Sequence, residues 1–370
     1  MEKKNQVPKY PPLRFPEFTD EWKKVKLGEV LSFEVGYPFS SDAFNEEGNG
    51  VRLIKNRDLK ADDRVVFYGG EYDAQYIVQN GDILIGMDGD FSPCLWKKGK
   101  ALLNQRVGRV NPNQNTSRVF ILYVLVDSLK KIEHKTSSTT VKHLSHKDVE
   151  KIKASLPSLA EQKKIAALLS LIDERIEVQN AIIKEQEVAK TLLSKELLTP
   201  EDDWTEYAVQ DCLTYEQPAK YIVKHTDYSS DSTLTPVLTA NKGFILGYTS
   251  EQGIYQKGAC IIFDDFTLDC KYVPFAFKVK SSAIKILQAR KGFDIRFMFE
   301  VIKSLSLSPF AHKRHYISEV EPIKVLVPSL PEQRKIAALL SAIDERLDVE
   351  RAYAEQLKLQ KAYLLRQMFI

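Results

Sequence analysis

The sequence predicts an α+β protein in which one plan is used twice: two similar blocks separated by two long antiparallel coiled-coil helices, related by a pseudo-twofold internal repeat. Three observations carry this reading. The segment Pro157-Ser-Leu-Ala-Glu-Gln-Lys-Lys-Ile-Ala-Ala-Leu-Leu-Ser-Leu-Ile-Asp-Glu-Arg-Ile recurs from Pro328 as Pro-Ser-Leu-Pro-Glu-Gln-Arg-Lys-Ile-Ala-Ala-Leu-Leu-Ser-Ala-Ile-Asp-Glu-Arg-Leu, identical at sixteen of twenty positions at an offset of 171. A weaker echo, Asp20-Glu-Trp22 before Leu27 against Asp202-Asp-Trp204 before Val209, is offset by 182. Finally, 370 residues at 44% hydrophobic and 28% charged exceed one compact unit and suffice for two domains with cores of their own. The divisions that follow are a first block over 1–156, a helix over 157–198, a second block over 199–327 and a second helix over 328–370.

The first block reads as short strands at 65–68, 81–86, 101–103 and 106–110, punctuated by Gly and Asn-Pro, and then a helix over 118–132. The repeated segment is helical on several counts. Ser158-x-x-Glu161 and Ser329-x-x-Glu332 have capping-box spacing, and Pro331 falls in a first turn, where its missing N–H costs nothing. Apolar residues then step by four and three: Ile165, Leu169, Ile172, Ile176, Ile183, Leu193 and Leu197 in one copy, and Ile336, Leu340, Ile343, Leu347, Ala354, Leu357, Leu364 and Met368 in the other. A repeat of about 3.5 residues is a coiled-coil seam, and polar members such as Gln179, Gln186, Lys190, Glu350 and Lys361 would set register at some cost in stability. Thr199-Pro200 ends the first helix, so each runs about 40 residues, or ~60 Å, and an antiparallel pair would act as a ruler between the blocks. The second block repeats the order of the first, with strands at 235–239, 258–263, 272–279 and 283–287 and a helix over 293–305.

Lys and Arg number 53 against 50 Asp and Glu, a net charge of +3. That excludes a histone-like polycation, so a charged partner must be met by a local patch. The first block, with 25 basic and 21 acidic side chains, leans basic; the second, with 15 and 16, does not. Cys94, Cys212, Cys260 and Cys270 form no Cys-x-x-Cys pair and read as reduced thiols of a cytoplasmic protein. The longest apolar run, 119–126, has eight residues, against roughly 20 for a membrane span, and the start lacks an apolar leader. A soluble protein is expected.

Motifs for catalysis are missing. There is no G-x-x-x-x-G-K-[ST] phosphate loop, and neither F-x-G-x-G nor [DNS]-P-P-[YFW] occurs, so no methyl-donor site, catalytic residue or metal site is expected. Asp264, Asp265 and Asp269 with Lys271 are the inventory of a nuclease centre, but a solvated or base-contacting loop explains them as well. The pairs His143/His146 and His312/His315 share His-x-x-His spacing without further ligands. The stretches around them combine cations with hydroxyls or an aromatic ring, the inventory for gripping phosphates: Ser138, Thr139, Thr140, Lys142 and His143 before one repeat, Lys313, Arg314, His315 and Tyr316 before the other. Base readout needs side chains able to make bidentate contacts in the major groove. The first block offers Tyr37, Ser40, Lys55, Asn56, Arg57, Asp90, Ser92, Asn104, Gln105 and Arg106. The second offers Tyr215, Gln217, Lys220, Thr239, Asn241, Lys242 and Thr267.

The paired Pro-Ser-Leu-x-Glu-Gln-x-Lys-Ile-Ala helix starts, the opening Leu13-Arg-Phe-Pro-Glu-Phe-Thr-Asp-Glu-Trp-Lys-x-x-x-Leu-Gly-Glu-Val and the Gly81-Asp-Ile-Leu-Ile turn resemble the specificity subunit of type I restriction-modification systems, over essentially the whole chain. The resemblance implies two target recognition domains, each reading half of a bipartite asymmetric site on double-stranded DNA. It implies helices that bind two adenine-methylating modification subunits, to which two ATP-driven restriction subunits add. It also implies a prokaryotic source and no cofactor on this chain, with S-adenosylmethionine, ATP and Mg on the partner subunits. The expected function is non-catalytic, sequence-specific DNA binding and scaffolding. A protein-interaction scaffold with no direct DNA readout is the alternative.

Overall fold

The computed structural model describes residues 10–135, 143–240, 243–305, 307–308 and 314–370. The chain divides into two units, Met1–Asn180 with Tyr353–Ile370, and Ala181–Ala352. Both divisions fall inside the long helices, so each helix contributes to both units.

The first unit contains β1 (Lys23–Lys26), β2 (Leu31–Val35), β3 (Ile83–Gly86), β4 (Pro93–Leu95), β5 (Val107–Pro112), α1 (Arg118–Lys135) and β6 (Lys153–Leu156). Strands β2, β5, β3 and β4 lie side by side in that order, all antiparallel, while β1 pairs with β6. A second sheet of five short strands has Val51–Ile54 running parallel to Ala101–Leu103 at its centre. Strand side chains alternate between faces, and β3 uses both. Ile83 and Ile85 join Phe120, Ile121 and Leu125 of α1 in one cluster, whereas Leu84 joins Ile54, Leu103 and Trp96 in another. That is why 81–86 reads as a continuous apolar run rather than an alternating one.

The long helix α2 (Leu159–Leu197) follows, then β7 (Thr205–Ala208), β8 (Leu213–Glu216), β9 (Cys260–Asp264), β10 (Cys270–Val273), β11 (Ile284–Ala289), α3 (Ile295–Ser304), β12 (Lys324–Val327) and the second long helix α4 (Leu330–Met368). Order repeats exactly where the sequence repeat requires it: β8, β11, β9, β10 form the sheet and β7 pairs with β12. The two-faced strand recurs as well, with Ile261 and Phe263 toward α3 and Cys260 and Ile262 toward a second cluster. One expectation is corrected. The strand expected over 272–279 is two, Cys270–Val273 and Lys278–Val279, because Pro274 between them has no N–H to give a ladder.

Each long helix spans 39 residues, ~58 Å at 1.5 Å per residue. Every expected seam residue is buried or half-buried, from Ile165, Leu169, Ile172, Ile176, Ile183 and Leu193 to Ile336, Leu340, Ile343, Leu347, Leu357 and Leu364. Within each unit the helices run antiparallel. In the first, Met368 shares a core with Ile165 and Leu169, and Lys361 Nζ meets Asp173 Oδ1 at 2.5 Å. In the second, Lys190 makes the same bond to Asp344. The two lysines and the two aspartates are each 171 apart, so the repeat carries its own register lock. Each aspartate also receives a group from the neighbouring block: the Tyr123 hydroxyl at 2.8 Å on Asp173, and the Arg296 guanidinium at 2.5 Å on Asp344.

The repeated Glu-Gln acquires a structural reason. Gln162 Oε1 accepts the Ser117 amide at 2.9 Å and Gln333 Oε1 accepts the Asp294 amide at 2.8 Å, so each long helix caps the start of its own block's helix. In both, Nε2 donates to the carbonyl five residues back, Pro157 or Pro328. The Ser158–Glu161 capping box is only half made. Ser158 Oγ accepts the Glu161 amide at 3.4 Å, but the Glu161 carboxylate turns to Arg14 and Trp22 instead of reaching back, because a charge-assisted fork is stronger than a neutral cap bond.

Candidate nucleic-acid interface

Loops 55–60, 87–92 and 104–106 of the first unit converge beyond the end of β3. The first two border a cavity of about 330 Å³ whose lining includes Asn56, Arg57, Lys60, Asp88, Asp90 and Ser92. Asn56 Nδ2 donates to the Asp88 carbonyl at 2.7 Å. This approach depends on Gly86: a Cβ there would stand 1.8 Å from Asn56 Oδ1. The Asp88 carboxylate accepts Arg106 Nη1 at 2.7 Å on one oxygen and holds His143 Nδ1 at 2.8 Å on the other. Partial burial pushes this carboxyl upward, but the His143 and Arg106 hydrogen bonds outweigh it and the pKa falls below its ordinary value. Asp90, which accepts from Lys60 and from the Ser92 amide, is held down to about 2.

Arg106 is reached by a tight turn closed by the Val107 amide on the Asn104 carbonyl at 3.1 Å, and it adopts a left-handed φ of 78°. The neighbouring backbone is fixed from the other side. Tyr37 N–H donates to the Leu103 carbonyl and Gln105 N–H to the Tyr37 carbonyl, both at 2.9 Å. The exposed Tyr37 ring packs on Tyr76 at 5.1 Å. Tyr37, Asn104, Gln105 and Arg106 are therefore brought together, as are Asn56, Arg57, Asp90 and Ser92. Ser40 is exposed and bonded to Asp42, while Lys55 lies over the Phe44 ring at 4.9 Å.

The second unit disperses its candidates. Gln217, Lys220, Thr267 and Arg314 are exposed and Thr239 is half-buried. Tyr215 is half-buried, with Lys285 Nζ 4.9 Å above its ring and Tyr316 at 5.6 Å. The acidic cluster is turn chemistry: Asp264 Oδ1 accepts the Phe266 and Thr267 amides at 3.0 and 2.9 Å. His315 and Tyr316 are not phosphate contacts. Both are 0% exposed, tied by their amides to Asp265 Oδ1 at 3.1 and 2.8 Å. His315 stands in the place of Leu144, whose amide makes the equivalent bond to the Met87 carbonyl, so core packing claims the position in both units. Ser138, Thr139, Thr140, Lys142, Asn241, Lys242 and Lys313 lie outside the described residues.

Residues 19–187 match the family model described as the type I restriction modification DNA specificity domain. The EcoBI specificity subunit of Escherichia coli is 34% identical over 167 residues, and the EcoR124I/EcoR124II specificity subunit of the same organism 44% over 142; these cover 45% and 36% of this chain. The matched stretch spans only 35% of the length of each relative. The MjaVIII specificity subunit of Methanocaldococcus jannaschii is 22% identical over 95% of this chain and 92% of its own. The fold matches the crystal structure of a type I restriction-modification S subunit from M. genitalium with a TM-score of 0.71 at 15% identity, covering 98% of this chain and 99% of that one. Over residues 19–187 the chain carries the type I restriction modification DNA specificity domain. Of the residues lining the cavity, Lys60 stands outside the candidates read from the sequence, and Asp88, in the candidate loop 88–92, serves there as an anchor rather than as a reader of bases. Asp88 is an acid among candidate cations, and its value as an anchor appears only when Arg106 and His143, 18 and 55 positions away, converge on it.

Proposed function

We propose that this chain is the non-catalytic, sequence-reading subunit of a type I restriction-modification assembly, with each unit contacting one half of a bipartite site on double-stranded DNA. The observation that supports it best is the Asn56, Asp88, Arg106 and His143 constellation. It presents an amide suited to the N6/N7 edge of adenine and a guanidinium suited to the O6/N7 edge of guanine, held by a carboxylate before DNA arrives. Partner subunits dock on the outward faces of the long helices. Exposed Val188 and Leu192 on α2 recur 171 positions on as exposed Leu359 and Tyr363 on α4, a duplicated apolar pair suited to two copies of one modification subunit. Two restriction subunits complete the assembly. S-adenosylmethionine, ATP and Mg belong to these partners, and the assembly works in the cytoplasm of a prokaryote.

The test is to co-express the chain with its modification subunits and map methylated adenines by single-molecule sequencing. A bipartite motif is expected, absent without this chain. Replacing 199–327 by the matching block of another specificity subunit should change one half of the motif only. Methylation independent of this chain, or an exchange that changes both halves, rejects the reading.

A further inference from the structure

The Glu and Trp at the two long-helix starts are equivalent in the fold but not in company. Trp22 stands before β1 with its ring edge-on to Phe120, the third residue of α1, at 6.0 Å and 67°. Trp204 stands before β7, edge-on to Phe297, the third residue of α3, at 6.2 Å and 65°. In the first unit the indole donates to Glu161 Oε1 at 3.3 Å, and Arg14 closes the same carboxylate with two bonds of 2.7 Å. That leaves the Glu161 side chain 1% exposed.

Glu332 repeats Glu161, yet no arginine among the described residues reaches it. Its ion-pair partner is Lys335, on the same helix and 75% exposed, and Glu332 itself is 45% exposed. It lines a cleft of about 410 Å³ together with Trp204, Leu193 and Ile336 and with the exposed carboxylates Glu196, Glu201 and Asp203. A lining that mixes apolar side chains with carboxylates suits the flat, weakly hydrated guanidinium better than a compact ammonium, and the fork on Glu161 shows which side chain this Glu–Trp pair accepts.

We propose that the Glu332–Trp204 cleft receives an arginine side chain from a second protein, completing in trans the site that Arg14 closes within the first unit. The inference goes beyond DNA reading and rests on the proposed function only in that the chain works within an assembly.

The probe is acetyl-Leu-Arg-Phe-Pro-amide, which reproduces residues 13–16, titrated calorimetrically into the full chain beside the same peptide with lysine for arginine. Saturable binding of the arginine peptide is expected, at least tenfold weaker for the lysine peptide and for the Glu332→Gln chain. Glu355→Gln, which alters an exposed carboxylate elsewhere on α4, should bind like the parent. Absence of binding, equal binding of the two peptides, or parent-like binding by Glu332→Gln overturns the proposal. Specific DNA binding measured on the same preparations separates the two readings: its survival without peptide binding rejects the arginine site alone, and its loss with peptide binding intact rejects the DNA reading alone.

Discussion

Arg106 shows how one residue is made ready. A non-glycine residue in the left-handed region carries roughly 1–2 kcal/mol of strain, and the turn that imposes it aims the guanidinium at Asp88. Arg106→Gly removes that strain but brings the larger unfolded-state entropy of glycine, about 0.5–1 kcal/mol. The relief is the larger of the two, so thermal unfolding should stay the same or shift slightly upward. Discrimination of the cognate half-site should nevertheless fall by about 1–3 kcal/mol, as in Arg106→Ala. Competition binding against random duplex reads the effect, and equal losses on both duplexes would remove Arg106 from the base readers. The residue types at this site were legible, since only a few side chains can read a base edge. The anchors were not, because Asp88 and Gly86 are chosen by what approaches them in space.

At the scale of elements, the aspartate of the repeated Ile-Asp-Glu-Arg motif meets two environments. In the second unit Arg296 bridges Glu300 and Asp344 with side-chain exposures of 8% and 3% for Arg296 and Glu300. Removing Arg296 leaves the buried Glu300 carboxylate with Lys190 alone, at 3.8 Å, so Arg296→Ala should cost up to about 3–5 kcal/mol, and Arg296→Met with Glu300→Leu much less. In the first unit Lys361 and Asp173 are each about a third exposed, where a pair is worth about 1 kcal/mol or less. Lys361→Ala should therefore be mild. Chemical denaturation of the variants decides, and an Arg296→Ala loss no larger than that of Lys361→Ala would refute the buried-charge explanation. The seam itself was legible because burial along a helix follows a spacing that composition cannot hide. Tyr123 and Arg296 were not, since nothing in either block helix announces which turn of the neighbouring helix it will face.

The whole molecule contains separate cores, one around β3 and α1, the other around β9 and α3. Leu340 is wholly buried in the latter, and Leu340→Ala should cost about 2–5 kcal/mol there. Hydrogen exchange should then accelerate at Ile261 and Leu287 while Ile83 and Val110 keep their protection. Acceleration at all four would show a single cooperative core. Near-neutral charge, which excludes a polycation, is also explained at this scale. Cations at the candidate interface are matched by carboxylates that place them: Lys60 by Asp90, and Arg106 by Asp88.

The sequence by itself determined the duplicated plan, the extent of the long helices, the seam and its polar register residues, because periodicity and repetition are properties of order along the chain. Tertiary structure decided which candidates share a cavity, that His315 and Tyr316 belong to the core, and that Glu161 holds an arginine while Glu332 faces an open cleft. Those outcomes depend on distance between residues remote in the chain, and identical motifs acquire different partners when the segments brought against them differ.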